Sequence, residues 1–123
     1  MSEDMKKLTT AEEEIMQIIW RLGPCTVRQV REDIGGNPLP PHSSISTIVR
    51  ILEQKGFVDH KAYGRTYEYR PLISKDDYRK FELQNLARDY FDGSMNRLVS
   101  FLVKEAKLAK DDLEDLLDRL DNA

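Results

Sequence analysis

The sequence predicts a mostly α-helical fold with a small β-hairpin, and three observations support that prediction. Two stretches upstream of residue 37 open with helix-capping signals. A third stretch, Ser43–Lys55, has apolar residues at helical spacing and ends at Gly56. Phe57–Ala62 and Thr66–Tyr69 follow at once and are expected to pair around Tyr63-Gly64-Arg65. Helices followed by such a hairpin have the order of a winged helix-turn-helix, whose commonest use is to hold duplex DNA.

The first two helices are predicted from their caps. The first is expected to begin at Thr9 or Thr10, because Thr10-Ala11-Glu12-Glu13 has the spacing of a capping box, and to end at Gly23-Pro24. Its expected buried stripe consists of Ala11, Ile15, Ile18, Ile19 and Leu22. The second helix opens on another capping box, Thr26-Val27-Arg28-Gln29, and stops at Gly35-Gly36. The residues that it is expected to bury are Val27, Val30 and Ile34.

The third helix carries the functional prediction. It follows a proline-rich connector, Asn37–Pro41, and its expected core face consists of Ile45, Ile48, Val49 and Leu52. The opposite face holds small hydroxyls, one guanidinium and one amide, on Ser43, Ser46, Thr47, Arg50 and Gln54. A major groove about 12 Å wide admits such a face and presents base edges to its donors and acceptors. The alternative is the ordinary polar surface of a three-helix domain.

The hairpin is the expected wing. Gly64 suits a turn position with a positive φ angle, which leaves Arg65 at the tip, where it can reach a phosphate or a minor groove. A solvated turn residue is the alternative for Arg65. Tyr67 and Tyr69 alternate with polar neighbours and are expected to pack in the core or towards a dimer partner.

The chain is expected to divide into a DNA-binding domain, residues 1–74, and a helical dimerisation region, residues 75–123. A new helix starts at Ser74-Lys75-Asp76-Asp77. The apolar stripes that follow have little else to cover them and predict a two-fold partner through Tyr78, Phe81, Leu86, Tyr90, Leu98, Phe101, Leu102, Leu113, Leu116, Leu117 and Leu120. Ala109 occupies an expected cap position, so the last two helices are expected to run together or to fray there.

Composition excludes several classes of function. Cys25 is the only cysteine and His42 and His60 are the only histidines, so we expect no disulfide, no zinc site and no cofactor. No catalytic constellation is evident, which argues against an enzyme. No signal peptide or membrane span is recognisable, which predicts a cytoplasmic protein. Cys25 is expected to be a partly buried structural thiol; a pKa lowered by the nearby helix N-terminus is the alternative, and it would make the thiol redox-responsive.

The charge distribution gives weak support to DNA binding. The net charge of −3 sits in the second part of the chain: residues 1–74 carry 10 Lys/Arg against 10 Asp/Glu, and residues 75–123 carry 9 against 12. Salt confines each charge to about 10 Å at 0.1 M, so the local balance decides phosphate contact. In the third helix and the hairpin together, five Lys and Arg residues outnumber three Asp and Glu residues.

Four stretches resemble the penicillinase repressor (BlaI/MecI/CopY) family of winged-helix transcriptional regulators. They are Leu8–Trp20, Ser44–Leu52 with Lys55-Gly56, Gly64–Pro71 and Tyr90–Ser94, in the family's order along nearly the whole chain. The resemblance implies a homodimeric repressor that binds a palindromic operator of double-stranded DNA. It maps the DNA contacts of the third helix and the wing onto Ser43, Ser44, Ser46, Thr47, Arg50, Gly64 and Arg65.

The chain also departs from that family. Ser43 and Ser46 stand where relatives often have Lys or Arg, which implies a different operator or weaker phosphate attraction. The better-known repressors are inactivated by cleavage of an Asn-Phe bond, which implies a sensor protease as a partner. The matching bond here is Ser100-Phe101, without the Asn, and the alternative for Phe101 is a plain core residue of the dimer. The Cys-x-Cys cluster of the copper-responsive branch is missing.

The alternative function is a winged-helix docking module for proteins that does not bind DNA.

Overall fold

The computed structural model describes residues 5–106, 111–112, 114–115 and 118–119. The chain forms two compact units, Met1–Lys75 and Asp76–Ala123. Its elements in order are α1 (Thr10–Leu22), β1 (Cys25–Thr26), α2 (Val27–Ile34), α3 (His42–Gln54), β2 (Val58–Tyr63), β3 (Thr66–Pro71), α4 (Lys75–Tyr90) and α5 (Met95–Ala106). Three helices with a three-stranded antiparallel sheet, followed by further helices, confirm the predicted fold class.

The capping box of α1 lies one residue earlier than predicted. Thr9 is the N-cap: its hydroxyl accepts from Glu12 N–H, and the Glu12 carboxylate accepts from Thr9 N–H. Glu12 is only 7% exposed and pairs with Lys55 at the end of α3. Burial alone would raise the pKa of Glu12, but the hydrogen bonds from Lys55 and Thr9 lower it. This tertiary pair favours Glu12 over Glu13 as the partner of the cap.

The buried face of α1 is also shifted from the predicted stripe. Ile15, Ile18 and Ile19 are buried as predicted. Ala11 and Leu22 are exposed, and Met16, which the predicted stripe omits, is completely buried. Both wrong predictions fall in the terminal turns, where the core no longer covers the helix. In the middle of α1 the adjacent residues Ile15 and Met16 are both buried, because the apolar face of a helix in a globular protein is wide enough to include neighbours.

The second helix has the predicted capping box between Thr26 and Gln29 and ends at Gly35. Val27 and Val30 are buried, but Ile34 in its last turn is exposed, which corrects the prediction. Arg31 Nε donates to Pro40 O at 2.8 Å and so anchors the connector that leads into α3. Arg21 of α1 forms an ion pair with Asp33 of α2.

The third helix packs on the other two through the predicted face. Ile45, Val49 and Leu52 are buried, and Ile48 is half-buried. The helix begins at His42, one residue before its predicted start, and Lys55 is its C-cap. Phe57, which follows immediately, lies outside the strand but is completely buried, and its carbonyl accepts from Leu72 N–H at 2.8 Å.

The sheet has the strand order β1-β3-β2. Strand β2 pairs with β3 from Val58↔Pro71 to Tyr63↔Thr66, so the hairpin turn contains only Gly64 and Arg65. The unpredicted strand β1 adds Cys25↔Tyr69 to the sheet. Tyr69 is buried as predicted, whereas Tyr67 is half-exposed.

The buried position of Cys25 settles the state of its thiol. Burial, with a smaller contribution from the negative charge of Glu68, raises the pKa of Cys25 to about 11. The alternative of a pKa lowered by the helix N-terminus is therefore wrong. The thiol stays protonated at neutral pH, and the structural role expected from the sequence is the one that this environment supports.

The second unit contains α4 and α5 and leaves large apolar side chains exposed. Helix α4 starts at Lys75 as predicted, and Tyr78 and Leu98 are buried. Among the described residues of this unit, Phe81 and Leu102 are half-buried, and the large apolar side chains that are exposed are Leu86, Tyr90, Phe101 and Val103. The Ser100-Phe101 bond lies inside α5, where Phe101 packs against Phe91 with ring centroids 5.5 Å apart. Leu113, Leu116, Leu117, Leu120 and the expected junction at Ala109 lie outside the described residues.

Candidate nucleic-acid interface

An open groove of about 620 Å³ lies within the first unit, between the start of α2, the exposed face of α3 and the wing. The first turns of α2 form one wall, and α3 forms the floor with His42, Ser46 and Arg50. The wing forms the opposite wall with Arg65, Thr66 and Tyr67. The groove therefore unites two elements that the sequence predicts to contact DNA.

Two of the three arginines that line this groove, Arg50 and Arg65, differ from the other arginines of the first unit. Arg21 pairs with Asp33, and Arg70 pairs with Asp59 across the wing at 2.7 Å. Arg31 is occupied by a backbone carbonyl. Arg50 and Arg65 instead form no ion pair or hydrogen bond with any residue that the structure describes. Two exposed guanidiniums without internal partners face the same groove, which is the arrangement that an anionic ligand requires.

Three of the seven sequence-predicted site residues meet in the groove: Ser46, Arg50 and Arg65. Ser43, Ser44 and Thr47 are exposed on α3 but lie outside the groove walls. Gly64 has φ +64° in the two-residue turn, with open space where a side chain would project. Glycine is suited to this position because other residues seldom adopt that backbone conformation. The turn thereby places Arg65 beside the groove.

Thr47 has a defined hydrogen-bonding state. Its hydroxyl donates to the carbonyl of Ser43, one turn earlier, at 2.8 Å. With its proton used in this way, the Thr47 oxygen presents its lone pairs and the side chain presents its methyl group. Both groups can contact base edges: the lone pairs accept from an amino group, and the methyl group packs on the methyl group of thymine.

The sequence does not single out the α2 wall or Tyr67 as parts of the groove. Arg28 is strongly exposed at the start of α2 and makes a loose pair with Glu32 at 3.4 Å. The capping box places Thr26–Gln29 at a helix start, but its neighbourhood to the wing arises only from the pairing of β1 with β3. The alternation of residues 66–70 predicts that Tyr67 and Tyr69 share a face, without saying how far it is covered.

The described part of the chain shows neither a cluster of metal-binding side chains nor a helix that could span a membrane. No group of three or more His, Cys, Asp or Glu side chains there is placed to hold a metal ion. Among the helices of that part, none has the length and apolar character needed to cross a bilayer.

Comparisons with known proteins agree with the fold described above. The penicillinase repressor family matches residues 8–122. The methicillin resistance regulatory protein MecI of Staphylococcus aureus strain N315 is 27% identical over 116 residues, 94% of each chain. The penicillinase repressor of Bacillus licheniformis is 24% identical over 115 residues, 91% of this chain and 90% of that protein. The solution structure of the DNA-binding domain of the repressor BlaI matches with a TM-score of 0.52 and 27% identity, covering 60% of this chain and 90% of that one.

Proposed function

The chain belongs to the penicillinase repressor family, and from that premise we propose that it is a dimeric transcriptional repressor that binds a palindromic DNA operator. The observation that carries the proposal is the convergence on one groove of Arg50 and Arg65, which pair with none of the described residues, beside an α3 face of small polar side chains. Relatives of the chain are named as repressors, and a DNA-binding domain of one has a similar fold.

In the proposed complex, α3 enters the major groove and the wing lies on the sugar-phosphate backbone. Ser43, Ser44, Ser46, Thr47 and Arg50 reach base edges or the flanking phosphates. Small side chains at the first four positions allow α3 to approach the bases closely, and Arg50 supplies a guanidinium that matches the acceptors of guanine. Gly64 lets the wing tip approach the backbone, and Arg65 meets a phosphate there.

The second unit supports the dimer. Its exposed apolar side chains include Tyr90, which is 76% exposed, and Phe101, which is 50% exposed. A second copy of the same surface covers such residues with closed symmetry. We therefore propose residues 1–74 as the DNA-binding domain and residues 75–123 as the dimerisation region, so that two copies of α3 meet the two halves of a palindrome.

The test is fluorescence anisotropy of the full chain on DNA from upstream of its own gene and on scrambled DNA, each at 50 and 200 mM salt. A repressor that neutralises six phosphates loses about 10³-fold in affinity over that range. We expect selective, salt-sensitive binding of two protomers per site. If neither that DNA nor a random-sequence library yields a preferred site, the repressor proposal is wrong, and a protein-docking role becomes the better account.

Two arginine variants separate base contact from phosphate contact. We expect Arg50→Ala to lower affinity for the preferred site by about 1–3 kcal/mol and to relax selectivity. Arg65→Ala should weaken all sequences alike and flatten the salt dependence. Arg79→Ala in α4 removes an equal charge and serves as the control. Unchanged affinity of Arg50→Ala for the preferred site would show that α3 reads DNA through another face.

A further inference from the structure

Four side chains link the last turn of α3 to the wing. His60 Nδ1 on β2 lies 2.7 Å from the Oε2 atom of Glu53 on α3. The His60 ring stacks on Tyr67, with centroids 4.3 Å apart and planes 22° apart, and it tilts against Tyr69 at 5.4 Å. The link thus runs from the helix through one imidazole to two tyrosines of β3.

The far end of this link is a wall of the groove. Tyr67 and Tyr69 both line it, and Tyr67 lies two residues from Arg65. Arg50 stands three residues before Glu53, so it lies one turn away on the neighbouring surface of α3. Arg50 is therefore close along α3 to the Glu53 end of the link, and Arg65 is close along the wing to its Tyr67 end.

We propose that Glu53 and His60 are positioning residues for DNA binding, which fix the spacing between the wing and α3 so that Arg50 and Arg65 engage the same duplex. This inference rests on the proposed function. Neither residue needs to touch DNA: Glu53 restrains His60, His60 restrains Tyr67, and Tyr67 holds the wall that carries Arg65. Both side chains of the pair are about one-third exposed, 32% for His60 and 31% for Glu53, so water does not fully screen the link.

Other charged groups lie close to the pair. Asp59 and Lys61 flank His60 on β2, and Asp59 is already paired with Arg70. Glu53 is the carboxylate that His60 contacts directly.

The decisive variant is Glu53→Ala in the full chain, because it removes the group that His60 contacts and because two explanations predict opposite signs. If charge alone matters, the loss of an anion near DNA raises affinity. If Glu53 positions the wing, affinity for the preferred site falls, by about two- to fivefold on the scale of exposed pairs. Glu68→Ala is the matched control: it removes an equal carboxylate from the opposite face of the same wing. The probe is a duplex that the wild-type protein selects from a random-sequence library.

Two further readouts distinguish positioning from general stability. His60→Ala should match Glu53→Ala, and the double variant should be no worse than either single one, because both break one link. The slope of affinity against salt should stay as in the wild type, since no phosphate contact is lost. Glu53→Asp, which keeps the charge but shortens the reach, provides the comparison if Glu53→Ala fails to fold.

The outcomes are separable from those of the proposed function. If Glu53→Ala behaves like Glu68→Ala, or if the two single effects add, the positioning proposal is overturned while DNA binding stands. If the wild-type protein selects no sequence from the library, both proposals are overturned together.

Discussion

The two units of this chain differ in how completely each satisfies its own side chains. The first unit buries Met16, Ile19, Leu52 and Phe57 to 0% exposure and closes the N-termini of α1 and α2 with capping boxes. Its anchoring ion pair joins the start of α1 to the end of α3. The second unit, in its described residues, buries few apolar side chains and exposes several large ones on α4 and α5. The first unit therefore has a well-buried core, whereas the second unit leaves large apolar side chains exposed in its described residues.

This difference shows where each part obtains its free energy of folding. A well-buried core gains this free energy from apolar burial within one copy, so the geometry of α3 and the wing does not depend on a partner. An exposed apolar surface gains part of its free energy only on association, so its stability depends on protein concentration. This difference agrees with the proposed roles: the first unit binds DNA, and the second unit joins two copies of the chain.

The largest effect is expected from removing the second unit altogether. A fragment of residues 1–75 should fold, be monomeric and bind a half-site alone, because its core and caps lie within it. Loss of the linked second contact should weaken binding to the full palindrome by about 10²–10⁴-fold. Sedimentation and anisotropy on full-site and half-site duplexes measure this. Tight binding of the fragment to the full site would refute the dimer's contribution.

A smaller effect should separate the two kinds of apolar residue. Phe57→Ala empties a fully buried position and should lower the free energy of unfolding by about 3–5 kcal/mol at any protein concentration. Phe101→Ala, at a half-exposed position on α5, should act mainly by raising the dimer dissociation constant. Urea unfolding at two protein concentrations distinguishes the two. An equal, concentration-independent loss for both variants would mean that α5 is covered within one copy.

The smallest of these effects concerns the ion pair that ties α1 to α3. Glu12→Gln leaves Lys55 partly buried without its carboxylate and should cost about 1–3 kcal/mol at pH 7. The pKa of Glu12 is lowered in the folded state, so its contribution is present above the ordinary carboxyl range and is lost as the pH falls through the folded value. The difference between Glu12→Gln and wild type should therefore shrink in acid. Urea unfolding at pH 7 and pH 4, with the exposed Glu14→Gln as control, tests this.

The order and type of the helices and of the hairpin strands followed from local signals. Period, capping spacing and a Gly-Arg turn are properties of neighbouring residues, and they predicted α1 to α3, the hairpin and the start of α4. The misplaced features lie at element ends: Leu22 and Ile34 continue an apolar period beyond the point where another element covers them. The sequence also contains two overlapping Thr-x-x-Glu boxes, and only the distant Lys55 favours the one that begins at Thr9.

The candidate interface likewise combines features that follow from local sequence with features that depend on tertiary packing. By itself, the sequence determined which side chains face outward on α3 and which residue occupies the wing tip, because a helix and a two-residue turn fix those directions locally. Only the tertiary structure decided that Arg50 and Arg65 share a groove, that Arg28 joins its wall, and that a Glu53–His60 pair links α3 to the wing. These residues are separated along the chain, and their distances depend on how the sheet packs against α3, a long-range choice that no local pattern encodes.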